Sequence, residues 1–416
     1  MSFGIALSGL DAAQSDLNTT ANNIANASTT GFKSSDAQFS ELFSASAAGV
    51  SDTQIGGGVK LADVQQQFSQ GNIQTTGNSL DLALNGGGFF TVADASGATQ
   101  YTRAGSYTTN NLGYVVNAQN QYLQVYAPTP SGGFNTTSLQ NLQVPSGDSA
   151  PTATTQGSMV FNLPANSKPP ADATFSPTDS NSYNESTSMT VYDSLGAAHT
   201  ASFYFASAGA GSWNAYEYID GTAVNTTPVQ LTYGSSGALS SVTDAAGGTN
   251  PQLISFGSYT PTTGGAAMSV TYNMNNTTQY GDTFGVTSET QNGFTTGQLS
   301  GVSVSSAGVM SANYTNGQST VLGQVAVATF PDEAGLQQVN NTDWVQTFTS
   351  GAPVYGQAGN AGVGTIASGS LEQSNVDITT QLVNMITAQR AFQANSEMIS
   401  TENQITQTVI TMAQNG

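Results

Sequence analysis

Leu17-Asn-Thr-Thr-Ala-Asn-Asn-Ile-Ala-Asn-Ala-Ser-Thr-Thr-Gly-Phe-Lys33 is the stretch on which the reading of this chain turns. Leu17 and Ile24 continue a series that starts with Phe3 and Leu10, one large apolar residue every seven, flanked by Ala6, Leu7, Ala13, Ala21 and Ala27. That spacing places the apolar residues on one stripe of a helix of about seven turns. The helix is expected to stop at Thr29-Thr30-Gly31, where two poor helix formers precede a glycine suited to a left-handed C-terminal cap. Asn22, Asn23 and Asn26 are unfavourable inside a helix, so this one needs a surface to pack on.

The other end of the chain reads the same way. Ile378, Met385, Phe392 and Ile399 again step by seven, Leu382, Val383, Ile386, Val409, Ile410 and Met412 widen the stripe, and Asp377 or Asn375 offers an N-cap. Where a coiled coil wants its second apolar position, the chain has Gln14 at one end and Gln389, Ser396 and Asn403 at the other. On pattern alone two readings stand: surface helices docked on their own domain, or helices that pack when neighbouring molecules surround them.

Between the ends the sequence reads as β. Ser188–Tyr192 and His199–Phe205 flank Asp193-Ser-Leu-Gly196, and Trp213–Ile219 runs into the turn dipeptide Asp220-Gly221. Tyr114–Val116, Tyr122–Tyr126, Met268–Met274 and Leu322–Phe330 are further strand candidates. Proline and glycine clusters punctuate the region; residues 143–151 make the best linker, and residues 291–297 a second boundary.

Charge excludes whole classes of function. Only 7% of residues are charged, with 5 basic against 25 acidic and a net charge of −20, where about 25% charged is usual. Nucleic acid and anionic membrane both select basic surfaces, so neither is an expected partner. No run approaches a membrane-spanning length. The start of the chain has neither a basic nor an apolar leader region, so no cleaved signal peptide is expected. Cysteine is absent, which excludes disulfides, thiolate metal sites and a cysteine nucleophile.

The chemistry of catalysis is thin. His199 is the only histidine, and at the head of a strand it reads as a surface or half-buried structural residue. No Gly-x-Ser-x-Gly elbow or phosphate-cradling glycine loop occurs. Asp179–Glu185 offers oxygen ligands but lacks the glycine that a calcium loop needs. Carboxylate pairs are available for glycoside chemistry, but none is singled out. No cofactor, no metal and no enzyme activity are expected.

The opening stretch closely resembles the N-terminal signature of the bacterial flagellar rod and hook protein family, Ala-Asn-Asn-Ile-Ala-Asn followed by Thr-x-Gly-Phe-Lys. Thr76–Leu84 with Gly86-Gly-Gly-Phe-Phe90, Tyr101–Tyr107 with Gly113–Asn117, and Gly369–Asp377 with Leu382–Ile386 and Ala388–Phe392 are similar to further family segments. The long β insertion between about residues 143 and 291, and Tyr192–Gly196 with His199, resemble the hook branch rather than the shorter rod proteins.

The resemblance implies a mainly β fold with α-helical termini. Two β-rich domains, barrel- or sandwich-like, would be nested between helices that pair in a coiled-coil-like inner domain. The implied division is an N-terminal helix over 1–32, a connecting segment over 33–70, a first β domain over 71–148 and 291–369, an inserted outer β domain over 149–290, and a C-terminal helix over 370–416. It implies a tube-forming structural subunit that joins rod to filament, assembled through Phe3, Leu7, Leu10, Leu17, Asn22, Asn23, Ile24, Asn26, Ile378, Leu382, Met385, Phe392 and Ile399. Its partners would be copies of itself, rod, hook-cap and hook–filament junction proteins, and the flagellar export apparatus, and its location the extracellular hook. A distal rod subunit, or more distantly an adhesin-type β protein, is the alternative.

Overall fold

The N-terminal stripe folds as α1 (Ser2–Ala25) in a computed structural model that describes residues 2–42, 56–243, 253–360 and 362–415. The helix ends four residues earlier than the expected Thr29. From Asn26 onward the backbone closes tight turns instead, Ala27 N–H to Ile24 O at 3.2 Å and Thr29 N–H to Asn26 O at 3.0 Å. Asn26 Nδ2 donates to Asn22 O at 3.0 Å, and Asn26 Oδ1 accepts from Thr29 Oγ1 at 3.1 Å. These asparagine side chains compete with the helical ladder, as short amides do. Gly31 then takes φ +70°, and a Cβ there would lie 2.4 Å from Ala104 N, so glycine is required on both counts.

Residues 33–70, expected as a connecting segment, contain a folded ribbon. Strands β1 (Ser35–Leu42) and β2 (Gly58–Gln66) pair antiparallel, Ser35 opposite Gln66 and Leu42 opposite Gly58, with a register shift where Phe39 meets Leu61. The C-terminal stripe is α2 (Ile378–Asn415), one helix of 38 residues. Asp377 is its cap, Oδ1 accepting from Thr380 N–H at 2.9 Å.

By contact the chain divides into two units, residues 1–146, 301–313 and 319–416 forming one, and residues 147–300 and 314–318 the other. In the first, Phe89–Ala93 pairs with Thr99–Thr102, Tyr122–Pro128 and Ser319–Thr329. Leu82, Leu84, Phe90, Val92, Leu123, Val125, Val325, Val327 and Ile366 bury together on this sheet. Phe89, Tyr101, Phe330 and Trp344 make a second cluster, with Phe68 edge-on to Phe89 and Trp344.

The second unit is a two-sheet sandwich. One sheet carries Glu185–Tyr192, Ala198–Gly209, Ser212–Ile219, Val229–Tyr233 and Leu239–Thr243; the other centres on Gln156–Pro164. Strict alternation along Ser212–Ile219 buries Trp213, Ala215, Glu217 and Ile219 against Met159, Phe161 and Leu163 of the facing sheet. Asp220 and Gly221 both have positive φ, the conformation of a type I′ turn. The unit reaches past the expected end at 290. Thr152 N–H bonds to Phe294 O at 3.0 Å, Ser149 N–H to Gly297 O at 2.7 Å, and Thr315 N–H to Gln298 O at 2.9 Å, so these backbone pairs draw the returning chain in with it.

Two titratable groups of this sandwich run in the same direction. His199 is buried rather than on the surface, with Nδ1 2.6 Å from Asp220 Oδ2 and Nε2 3.3 Å from Asp193 Oδ2. Burial alone would lower the imidazolium's pKa, but the hydrogen bonds and charges of the two carboxylates hold it above the ordinary value. Glu217 is also buried, and burial pushes its carboxyl up to about 7 against the opposing hydrogen bond from Tyr272 Oη. Both pKa values are raised by folding. Their stabilisation is therefore complete below the unfolded values and is lost as pH rises through the folded ones. Asp193, held at about 2 despite its burial by hydrogen bonds from Thr263, the Ala197 and Leu195 amides and His199, acts in the opposite sense, and only in strong acid. The melting temperature of this sandwich is expected to be highest near pH 4 and to fall toward pH 8. Glu217 accounts for about 3 kcal/mol of that loss. Calorimetry of the wild type and Glu217→Gln checks this: the variant's curve should be flatter between pH 5 and 8, and an equally steep one would refute the assignment.

Candidate assembly interface

The two terminal helices pack on each other, and the register of that packing follows from two contacts. A Cβ on Gly9 would sit 2.8 Å from Asn395 Oδ1, and Asn23 Nδ2 donates to Gln381 Oε1 at 3.2 Å. Gly9 precedes Asn23 by the same interval by which Gln381 precedes Asn395, so α1 and α2 run antiparallel in constant register. Small residues make the close approach possible: Ala6, Ala13 and Thr20 are the buried face of α1, and Ala388 that of α2.

The large apolar residues lie elsewhere. Phe3, Leu7, Ile378 and Leu382 are exposed, together with Val383 and Ile386. Leu10, Leu17, Ile24, Met385, Phe392 and Ile399 are half-buried. The heptad stripe therefore splits in two, a small-residue side used within the chain and a large-residue side left facing outward. Sequence periodicity could not separate these, because both sides obey the same repeat.

The three asparagines also separate. Asn23 is an internal staple and not part of an outward face: it is 1% exposed, donates to Ser35 O at 2.8 Å, and accepts from Ser35 N–H at 2.9 Å through Oδ1. Asn26 is half-buried and committed to the turns after α1, whereas Asn22 is exposed.

Beyond Glu402 the register leaves α2 with no opposite residue in α1. Every residue from Asn403 to Gln414 is exposed, among them Ile405, Val409, Ile410 and Met412. At 1.5 Å per residue this overhang is roughly 20 Å long.

Where the helices meet the β unit, a buried charge cluster ties four segments of chain together. Glu372 Oε1 accepts from Lys33 Nζ at 2.7 Å and from Gly71 N–H at 3.0 Å, and Oε2 accepts from Arg103 Nη1 at 3.2 Å. Lys33 and Glu372 are completely buried, and Arg103 lies 5.3 Å from the Phe89 ring centroid. Burial lowers the Lys33 pKa, opposed by the charge and hydrogen bond of Glu372. Asn375 adds amide bonds, accepting from Ser34 N–H at 2.7 Å and donating to Gln67 O at 2.7 Å. Two of the chain's five basic residues are in this junction. Lys33, Arg103 and Glu372 each lie in a segment that resembles the family, but nothing in the sequence pairs residues so far apart.

Among the described residues no group of three or more His, Asp or Glu side chains is placed to hold a metal ion, and no helix is long and apolar enough to cross a membrane. Two antiparallel terminal helices with outward apolar faces are thus joined to a β unit whose chain is interrupted by a β sandwich. Matching segments follow that order: the flagellar basal body rod protein family over residues 3–33, the flagellar hook FlgE/F/G D1 domain over 83–160, the FlaE D2 domain over 162–294, and the rod FlgEFG C-terminal family over 367–412. The chain belongs to the flagellar hook protein family. It is 35% identical to the flagellar hook protein FlgE of Escherichia coli K12, covering 99% of this chain and all of that one. The FlgE proteins of Brucella suis and Treponema pallidum are each 31% identical, with 98% of this chain covered and 97% and 98% of theirs. The crystal structure of Helicobacter pylori flagellar hook protein FlgE2 shares the fold, with a TM-score of 0.53 at 14% identity over 72% of this chain and all of that one.

Proposed function

We propose that this chain is the repeating subunit of a flagellar hook, polymerising through its terminal helices into a curved tube that transmits torque from rod to filament. The observation that carries the reading is the outward apolar face of α1 and α2, with Phe3, Leu7, Ile378, Leu382, Val383 and Ile386 exposed on helices already paired. Each such side chain is already about half covered in the single chain, so burying the rest between copies contributes about 1 kcal/mol. Near-complete coverage of hook relatives, 99% of this chain and 100% of the Escherichia coli protein, favours the hook over a shorter rod subunit.

On this reading the work is mechanical and not catalytic. The partners are first other copies, then rod, hook-cap and junction proteins and the export apparatus, with delivery to the extracellular hook. The sandwich is an insertion whose two ends lie side by side, supported by the 2.7 Å bond from Ser149 N–H to Gly297 O, and its place is the outside of the tube. Polar contacts there exchange at small cost compared with desolvated ion pairs, which suits a surface that slides as a bent tube rotates.

Leu382→Asp and Ile386→Asp test the helices directly. Both side chains are exposed in the single chain, so the melting of the monomer should change little. Tube formation should be lost, because a carboxylate buried without a partner costs several kcal/mol at every repeat. Sedimentation and electron microscopy decide it; variants that assemble at the wild-type concentration would sink the proposal.

A further inference from the structure

Phe348 is wholly exposed, the most exposed large hydrophobic residue among those described, yet it stands on a tightly tied turn. Thr347 N–H donates to Ser350 Oγ at 2.9 Å, Ser350 N–H to Thr347 Oγ1 at 3.1 Å, and Thr347 Oγ1 to Gly335 O at 2.5 Å. Ser350, the post of this turn, is completely buried, and Gly351 beyond it takes φ +75°. Val354 and Tyr355, also exposed, follow closely in the chain. A rigid aromatic presented to water at the tip of a preorganised turn is the form that binding hot spots take.

The same unit carries a hollow that fits it. Between the helix pair and the ribbon, Gly9, Ala13, Phe39, Val59, Ala388 and Ala391 line a hollow of about 200 Å³ that is open to the surface. By volume alone that is room for an aromatic ring, since about 150 Å³ holds benzene in an enclosed apolar cavity. Among the described residues Asp16 is the only charged one that lines it. In a chain of net charge −20, copies repel, and they meet most readily where both surfaces lack charge.

We infer that Phe348 of one copy seats in the hollow between the helix pair and the ribbon of the next copy. The occupant is a second copy because copies of so acidic a chain can approach where charge is sparse, and the Phe348 ring and this hollow, with one carboxylate among its described lining residues, are such places. Such a contact is heterologous, and when its rotation does not close a ring it propagates into an open helical polymer. This inference rests on the proposal that the chain polymerises, and adds a specific contact to it.

The absence of cysteine makes the test clean. Tubes of a chain carrying both Phe348→Cys and Ala391→Cys should, on mild oxidation, give a ladder of covalent multimers that neither single variant gives. Phe348→Ala should raise the concentration needed for assembly at least tenfold with monomer melting unchanged, and Phe348→Leu should recover part of the loss. Tubes of the double variant that yield no ladder overturn the hollow as the site. Phe348→Ala assembling like the wild type overturns the knob. Failure of the unsubstituted chain to form tubes at all would instead bring down the polymer proposal, and this contact with it.

Discussion

A chain ending at Glu402 is expected to fold and melt like the full protein yet form no tubes at any accessible concentration. The residues removed are the overhang of α2, whose described members are all exposed, so the monomer gives up no core. Left to itself, a helical extension of about thirteen residues is marginal in water. Its apolar side chains, Ile405, Val409, Ile410 and Met412, are each about half exposed or more, and α1 is too short to reach them. In a polymer the neighbours supply that surface, and the loss is repeated at every subunit. Circular dichroism melts together with sedimentation separate the two effects. A truncated chain that still forms tubes would mean the overhang is dispensable, and that assembly rests on the paired part of the helices alone.

The second large effect lies at the buried junction. Glu372→Gln keeps the shape of the side chain but leaves Lys33 and Arg103 without a counter-charge inside the protein. Removing one partner of a buried ion pair typically costs about 3–5 kcal/mol. For a unit of this size that corresponds to a fall in melting temperature of roughly 10 °C. Lys33→Met should cost less, because Glu372 keeps Arg103 and the Gly71 amide. Hydrogen exchange should localise the damage to residues 31–35 and 372–376, with the sandwich of Trp213 and Phe203 protected as before. Equal melting of wild type and Glu372→Gln would show that the cluster contributes nothing net.

What the sequence disclosed, and what it withheld, divides along a physical line. Helices and hairpins announce themselves through short-range periodicity: the seven-residue steps of α1 and α2, the Asp193–Gly196 and Asp220-Gly221 turns, the alternation of Ser212–Ile219. The ribbon escaped notice because Ser-Asp-Ala-Gln-Phe-Ser-Glu-Leu, residues 35–42, is polar on both faces and gives no alternating signal. Within the helices, periodicity marked a stripe but not which side of it the chain keeps for itself. That choice depends on how closely two backbones approach, which Gly9 and the alanines determine. The carboxylate at 372 and the exposed ring at 348 are visible only in three dimensions, because each owes its importance to what surrounds it or fails to.

The separation of the groups at the junction has a kinetic side. Lys33 and Glu372 are 339 residues apart in sequence, so the contact between them closes one of the longest loops the chain can make. Closure entropy grows only slowly with length, but it must be met before the contact gives anything back. Hairpins such as Glu185–Tyr192 with Ala198–Gly209 meet no such delay and form on the timescale of local search. Folding should therefore run from the middle outward. The β units take shape early, and the two ends find each other last, so a chain interrupted late in its synthesis already holds a finished sandwich while its helices still lack the carboxylate that anchors them.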